Sequence, residues 1–198
     1  MTLTNDLSPG FDEPVDGAQR TFRAVLEALS RPGVPVPLAG IDTAPAPMEP
    51  TLAAAALSLL DHETSVYLAP PLAIESVRRY IAFHTGAPIV SEPGEADFVI
   101  ALADRDMPDV LQLKAGTAEY PDASATLLLG ISGFGTGLPV RLSGPGIADT
   151  REFSSGDLTD DFWTHARKNH TRFPLGVDVI LCGPESVVGL PRSTSIAV

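Results

Sequence analysis

The sequence predicts a layered α/β domain with a mixed sheet. Segments whose apolar residues recur at helical spacing alternate with short apolar runs of strand length through most of the chain. In the second half, two pairs of strand-like runs are separated by short glycine-bearing links, the pattern of hairpins, which adds antiparallel pairing to the crossovers. A hydrophobic fraction of 44% against 19% charged residues is the balance of a chain with a real core. At 198 residues, without repeat or linker, the chain reads as one domain over 1–198, with 1–14 a flexible N-terminal segment.

The first helix is read in "VDGAQRTFRAVLEALSRPG". Asp16 stands where a cap belongs, Phe22, Val25, Leu26 and Leu29 form the apolar stripe, and "RPG" stops the pattern. The proline-dense "VPVPLAGIDTAPAPMEP" is an extended connection or an edge strand. Thr51 opens "TLAAAALSLLDHE", which is apolar nearly all round and reads as a buried helix. "SVYLA" is a short strand. "PPLAIESVRRYIAFHTG" begins with prolines, as helices do, carries Ile74, Val77 and Ile81 on one stripe, and ends at Gly86. "DFVIAL" is a strand and "MPDVLQLKAG" a short helix between Pro108 and Gly116. "SATLLLGI" and "LPVRLSG" are strands joined by "SGFGTG" as a flexible hairpin. "LTDDFWTHARKNH" is a helix capped by Thr159, and "VDVILC" and "SVVGLP" form a hairpin about "GPE".

A formal net charge of −12 opposes nucleic acid and anionic membrane surfaces as partners, while leaving room for a small anion in a locally basic pocket. The lone Cys182 sits in an apolar run, so no internal disulfide forms and a reducing compartment fits. It reads as a small core residue rather than a nucleophile. The N-terminus carries no signal-peptide pattern, and no run approaches the length of a membrane span. The expectation is a cytoplasmic protein.

Two glycine stretches invite a phosphate-loop reading. In "SGFGTG" the third fingerprint position is Leu138, not glycine. In "LSGPGI" it is Asp149, Pro145 removes a backbone donor, and no P-loop lysine follows. Both read as turns. His165 and His170 are five apart and share no helix face, so no zinc pair forms, and Asp61, His62 and Glu63 read as a solvated helix end. Two roles fit His84, in "AFHTGAP": acid–base or anion ligand, or a partner for a helix C-terminus. The basic run "HARKNHTR", with Arg167, Lys168 and Arg172, ends a helix that begins with Asp160 and Asp161, which complements the helix dipole. In "GLPRST", Arg192 beside Ser193 and Thr194 suits a phosphate or carboxylate, and equally a carboxylate pair at a protomer interface. Lys114 and Lys168 are the only lysines, which argues against Schiff-base chemistry, and no G-x-S-x-G elbow is present.

Seven stretches in order, "FRAVLEALSRPG" (22–33), "LLDHETSVYL" (59–68), "FHTGAP" (83–88), "GTAEYPDASATLLL" (116–129), "LSGPGI" (142–147), "FPLGVDVIL" (173–181) and "GLPRST" (189–194), resemble the PhnH family. That family is the H subunit of the bacterial carbon–phosphorus lyase system for phosphonate breakdown. The resemblance covers about residues 15–195, and Ser65 departs from it where proline is expected. It implies an α-β-α layering like the large domain of PLP-dependent transferases, without PLP or another cofactor. It implies partners in the G, I and J subunits and a homodimer in isolation. It further implies support, with the G, I and L proteins, of alkylphosphonate transfer to the ribose C1 of ATP with loss of adenine, a ribose 1-methylphosphonate 5-triphosphate synthase step. No catalytic residue comes with it. The candidate anion-binding set is His84, Arg172, Arg192, Ser193 and Thr194, with no metal site expected. The leading expectation is a supporting subunit that docks. Direct anion binding and a stand-alone α/β enzyme are the alternatives.

Overall fold

The structure, a computed structural model, describes residues 7–38 and 41–197. Its central sheet has six strands. β1 (Val36–Pro37) forms one edge and β2 (Val66–Leu68) the other. Between them, in spatial order from β1, lie β8 (Ser186–Leu190), β7 (Asp178–Cys182), β4 (Thr126–Gly130) and β3 (Phe98–Leu102). β2, β3, β4 and β7 are parallel, whereas β8 runs antiparallel to both β7 and β1. The sheet is therefore mixed, as the sequence predicts. A second, antiparallel sheet has the order β6 (Arg151–Phe153), β5 (Val140–Ser143), β9 (Ser195–Ala197).

The central strands are continuous apolar runs because both faces are covered. On one face Ile100, Leu128, Ile180 and Val187 join a core with helices α1 (Pro14–Ser30), α2 (Pro50–Leu59) and α3 (Glu75–Thr85). On the other face Val99, Leu127, Leu129, Leu181 and Val188 meet α4 (Asp160–His170), a 3-10 turn at Val110–Gln112, and the small sheet. The alternation of consecutive residues between two cores is the period of two expected of a strand. α2 buries every residue from Thr51 to Ala56, and its alanines keep the helix thin.

Several local expectations are corrected. Asp16 lies in the first turn of α1, and Glu13 holds the cap position. The face of α1 turned inward is Gly17, Thr21, Val25 and Ala28, so the expected stripe is displaced and Phe22 and Leu26 face solvent. The cause is backbone proximity: a Cβ on Gly189 of β8 would come within 2.6 Å of the Ala28 carbonyl oxygen. At the Ala28 end of the helix, only a small side chain fits against β8. α3 begins at Glu75, after the prolines, and Ile74 precedes it half-exposed. Gly86, with φ 72°, ends it as expected. "MPDVLQLKAG" forms only the three-residue 3-10 turn. "SGFGTG" is not a hairpin: β4 belongs to the large sheet and β5 to the small one, so this segment carries the chain between sheets. β6 and β9 are strands that sequence patterning does not reveal. The hairpin of β7 and β8, the edge strand β1 and the Thr159 cap, whose Oγ1 accepts from the Phe162 amide at 3.3 Å, match expectation. The expected flexible segment over 1–14 falls partly outside the described residues. Within them, Ser8 and Pro9 lie against α3, their carbonyls bonded to His84 and Tyr80.

Asp97, at the start of β3, ties three segments together. Its Oδ2 accepts the amide (2.9 Å) and hydroxyl (2.8 Å) of Ser65, and its Oδ1 accepts Lys114 Nζ at 2.6 Å. Burial pushes this carboxyl up, but the bonds from Lys114 and Ser65 outweigh it and hold the group below its ordinary value. A carboxylate lowered on folding adds stability above its unfolded value of 3.8, and that stability is lost as pH falls through the folded value. Urea midpoints measured down to the acid range are therefore expected to fall less steeply below pH 3.8 in Asp97→Asn than in the parent chain. Parallel curves would contradict this assignment.

Candidate functional site

A cleft of about 500 Å³ opens beyond the carboxyl ends of β3 and β4, the edge where parallel α/β sheets hold ligands. Ala103–Arg105 and Met107–Val110, which follow β3, make one wall. Asp157, Thr159, Asp161, Phe162 and His165, from the start of α4 and the loop before it, make the other. Asp157 is anchored to the chain after β4, accepting the Ser132 amide at 2.6 Å and the Ser132 hydroxyl at 2.8 Å. Asp109 caps the 3-10 turn by accepting the Leu111 amide at 2.9 Å, and the same Oδ1 lies 3.1 Å from His165 Nδ1. A carboxylate at Nδ1 fixes a proton there and leaves Nε2 as the reactive nitrogen, the arrangement of an oriented acid–base imidazole. Asp104, Asp109, Asp157 and Asp161 face this space with a single arginine, Arg105, whose side chain is 93% exposed. The cleft is thus acidic and ill-suited to a polyphosphate. Among the described residues no group of three His, Cys, Asp or Glu side chains is placed to hold a metal.

The anion-binding candidates lie elsewhere. Arg192 follows β8 at the opposite, amino edge of the parallel strands. Its Nε and Nη2 grip Asp178 at 3.1 and 2.7 Å, and its Nη1 donates to the Pro121 carbonyl at 2.8 Å. The Arg192 backbone N–H also donates to Asp178, and His170 Nδ1 is 3.0 Å from the Arg192 carbonyl. Asp178 opens the strand β7, so this fork clamps the end of the sheet to the loop before β4. Thr194 is buried, its hydroxyl without a hydrogen-bond partner among the described residues, and Ser193 is half-buried beside it. Arg172, past the end of α4, is half-buried and makes no ion pair among the described residues. His84 sits on the other face of the sheet, on α3, its Nε2 3.1 Å from the Ser8 carbonyl and its ring edge-on to Tyr80 and Phe83. The structure therefore does not bring His84 and Arg192 together.

"LSGPGI" is a turn: the Ile147 amide donates to the Gly144 carbonyl at 3.1 Å, and Gly144 and Gly146 have φ of 128° and 82°. Cys182 is buried, and burial pushes its thiol up to about 12, so it is inert. Asp61 accepts the Glu63 and Thr64 amides in a solvated turn. The pairing of His165 with Asp109 escapes sequence reading, since these residues are distant in the chain and neither belongs to a motif. The one signal is "PD" opening an apolar stretch, a cap whose carboxylate has capacity to spare. The Asp178–Arg192 pair had a clearer sign: a lone carboxylate opening a fully apolar strand needs a partner.

Comparison with known proteins gives a consistent set. The family of bacterial phosphonate metabolism proteins (PhnH) matches residues 9–197. The alpha-D-ribose 1-methylphosphonate 5-triphosphate synthase subunit PhnH of Rhizobium meliloti (strain 1021) is 36% identical over 197 residues, 99% of this chain and 98% of the relative. A protein of Stutzerimonas stutzeri, named provisionally as the C-P lyase subunit protein HtxG, is 33% identical over 179 residues, 90% of this chain and 85% of its own.

The Arg192 fork predicts a stability effect. Arg192→Ala leaves the Asp178 carboxylate unpaired and frees the loop at Pro121, at a cost of about 2–3 kcal/mol in urea denaturation. Arg172→Ala, which breaks no bond, is expected to stay within about 0.5 kcal/mol. Equal effects of the two substitutions would refute the structural role of Arg192.

Proposed function

The chain belongs to the PhnH family, and from that premise we propose that it is a subunit of a carbon–phosphorus lyase system for phosphonate catabolism, acting by assembly and docking. The observation that carries this reading is the end-to-end match to a relative named as a subunit of the ribose 1-methylphosphonate 5-triphosphate synthase. The step supported is transfer of an alkylphosphonate to the ribose C1 of ATP with loss of adenine. The G, I and J subunits are the proposed partners, a homodimer the state of the isolated chain, and the cytoplasm the compartment. We place the sheet in the kinship of the large domain of PLP-dependent transferases, with antiparallel β8 set among parallel neighbours.

Physical chemistry favours support over catalysis. Four aspartates face the cleft, so a nucleotide triphosphate entering it meets like charge at short range. Neither lysine stands there: Lys114 is held by Asp97, and Lys168 lies in the last turn of α4. Arg192, the best fork for a phosphonate, is spent on Asp178. Arg172 is the one observation favouring direct anion binding, since it is half-buried without an ion pair among the described residues.

Reconstitution with the partner subunits tests the reading. Leaving this chain out is expected to abolish formation of the phosphonate product, whereas His165→Ala and Asp109→Asn are expected to retain activity within about threefold. A loss of about 100-fold or more in either variant, with the complex intact by gel filtration, would replace support with catalysis in this cleft. Product formation collapsing only in Arg172→Ala would favour the anion-binding alternative.

A further inference from the structure

Thr194 is 2% exposed, and its hydroxyl has no hydrogen-bond partner among the described residues. A hydroxyl taken out of bulk water costs free energy unless a new partner replaces its lost hydration. The surroundings do not call for a polar side chain. Phe162, Ala166, Val179, Leu190 and Ile196 wall the space beside Thr194, and valine has the same branched shape without the polar atom. The hydroxyl is therefore a polar exception in a mostly apolar wall.

The space has a definite size. It lies between α4, the end of β8 and β9, and offers about 10 Å3, the room of one water-sized sphere. Val110 and Phe162 border both this space and the cleft, so it sits behind the cleft's apolar floor. Two further lining residues hold bonding capacity in reserve. Asn169 Nδ2 donates to the Val177 carbonyl at 2.8 Å and its Oδ1 accepts the Val177 amide at 2.9 Å, which leaves a second Nδ2–H uncommitted among the described residues. The Pro191 carbonyl accepts the Thr194 amide at 2.8 Å and has a second lone pair. Arg192, the charged lining residue, is committed to Asp178 and Pro121. An ion would find no free charge to balance it, and an apolar solute would leave the hydroxyl unserved.

We propose that this space binds one water molecule as a fixed part of the fold, bridging Thr194 to Asn169 of α4 and to the Pro191 carbonyl after β8. A buried water makes about three hydrogen bonds to polar groups that otherwise lack partners. This one accepts from Asn169 Nδ2, donates to the Pro191 carbonyl, and shares a third bond with Thr194 Oγ1. The bridge ties the chain entering β9 to α4, against which β9 packs, and to the end of the large sheet. The water belongs to the fold and does not depend on the subunit reading.

Thr194→Val tests the proposal by the sign of its effect. An unpartnered hydroxyl costs stability, so its removal would raise the urea midpoint. A hydroxyl bonded to a held water contributes stability, so its removal is expected to lower the midpoint, by about 0.3–1 M. Oxygen-17 relaxation dispersion counts the slowly exchanging waters directly. Thr194→Val is expected to hold one fewer than the parent chain, whereas Thr194→Ser, which keeps the hydroxyl, is expected to retain it. A raised or unchanged midpoint in Thr194→Val, or equal numbers of held waters in that variant and the parent, would overturn the proposal. Should Thr194→Val fail to fold, a crystal structure of the parent chain decides. A water within about 2.6–3.2 Å of Thr194 Oγ1 and of Asn169 Nδ2 or the Pro191 carbonyl oxygen is expected, and an empty site would contradict the assignment.

Discussion

The backbone of α1 lies directly on the backbone of β8 at Gly189, and much of the molecule's arrangement follows from that contact. The Gly189 carbonyl also accepts the Gly33 amide at 3.2 Å, which turns the chain from the end of α1 toward the edge strand β1. Because no side chain fits between helix and strand there, Ala28 faces inward, and further back Gly17 faces inward against the Phe11 ring. The residues that would ordinarily seal a core, Phe22 and Leu26, are left for the outer surface. A packing constraint inside the fold thus creates an apolar surface outside it.

The two edges of the parallel strands divide the polar residues by task. At the amino edge, Asp97 binds Lys114 and Ser65, and Asp178 binds Arg192, so charge is consumed in closing the sheet. At the carboxyl edge, Asp109, Asp157 and Asp161 gather about His165 in an open cleft. Basic residues are scarce, 13 against 25 acidic ones, and those with the best geometry for an anion serve the fold. This is the physical basis for reading the chain as a subunit that acts through its surface.

The large features of the fold were legible because they rest on patterns of one strand or one helix. "DFVIAL", "VDVILC" and "LTDDFWTHARKNH" carry their own period and caps, and each forms the expected element. What was not legible depends on residues distant in the chain. The inward face of α1 is decided by Gly189, which its own stripe of Phe22, Val25, Leu26 and Leu29 cannot register. β6 and β9 are short and become strands by pairing with β5 on either side, β9 from far along the chain. The site shows the same limit. Arg192 was legible as a fork, while the carboxylate it holds lies on another strand. The order of the seven stretches identified the family because no single one of them carries a charge or shape specific enough alone.

The most direct measurement of this account is the unfolding free energy of Gly189→Ala. A Cβ there would meet the backbone of Ala28 and Leu29 at 2.6–2.7 Å, atoms that no rotamer change can move aside. The account predicts a loss of about 2–3 kcal/mol in urea denaturation, at the upper end of overpacking effects. Unchanged stability would mean that α1 does not rest on β8 as described, and the outward placement of Phe22 and Leu26 would lose its cause.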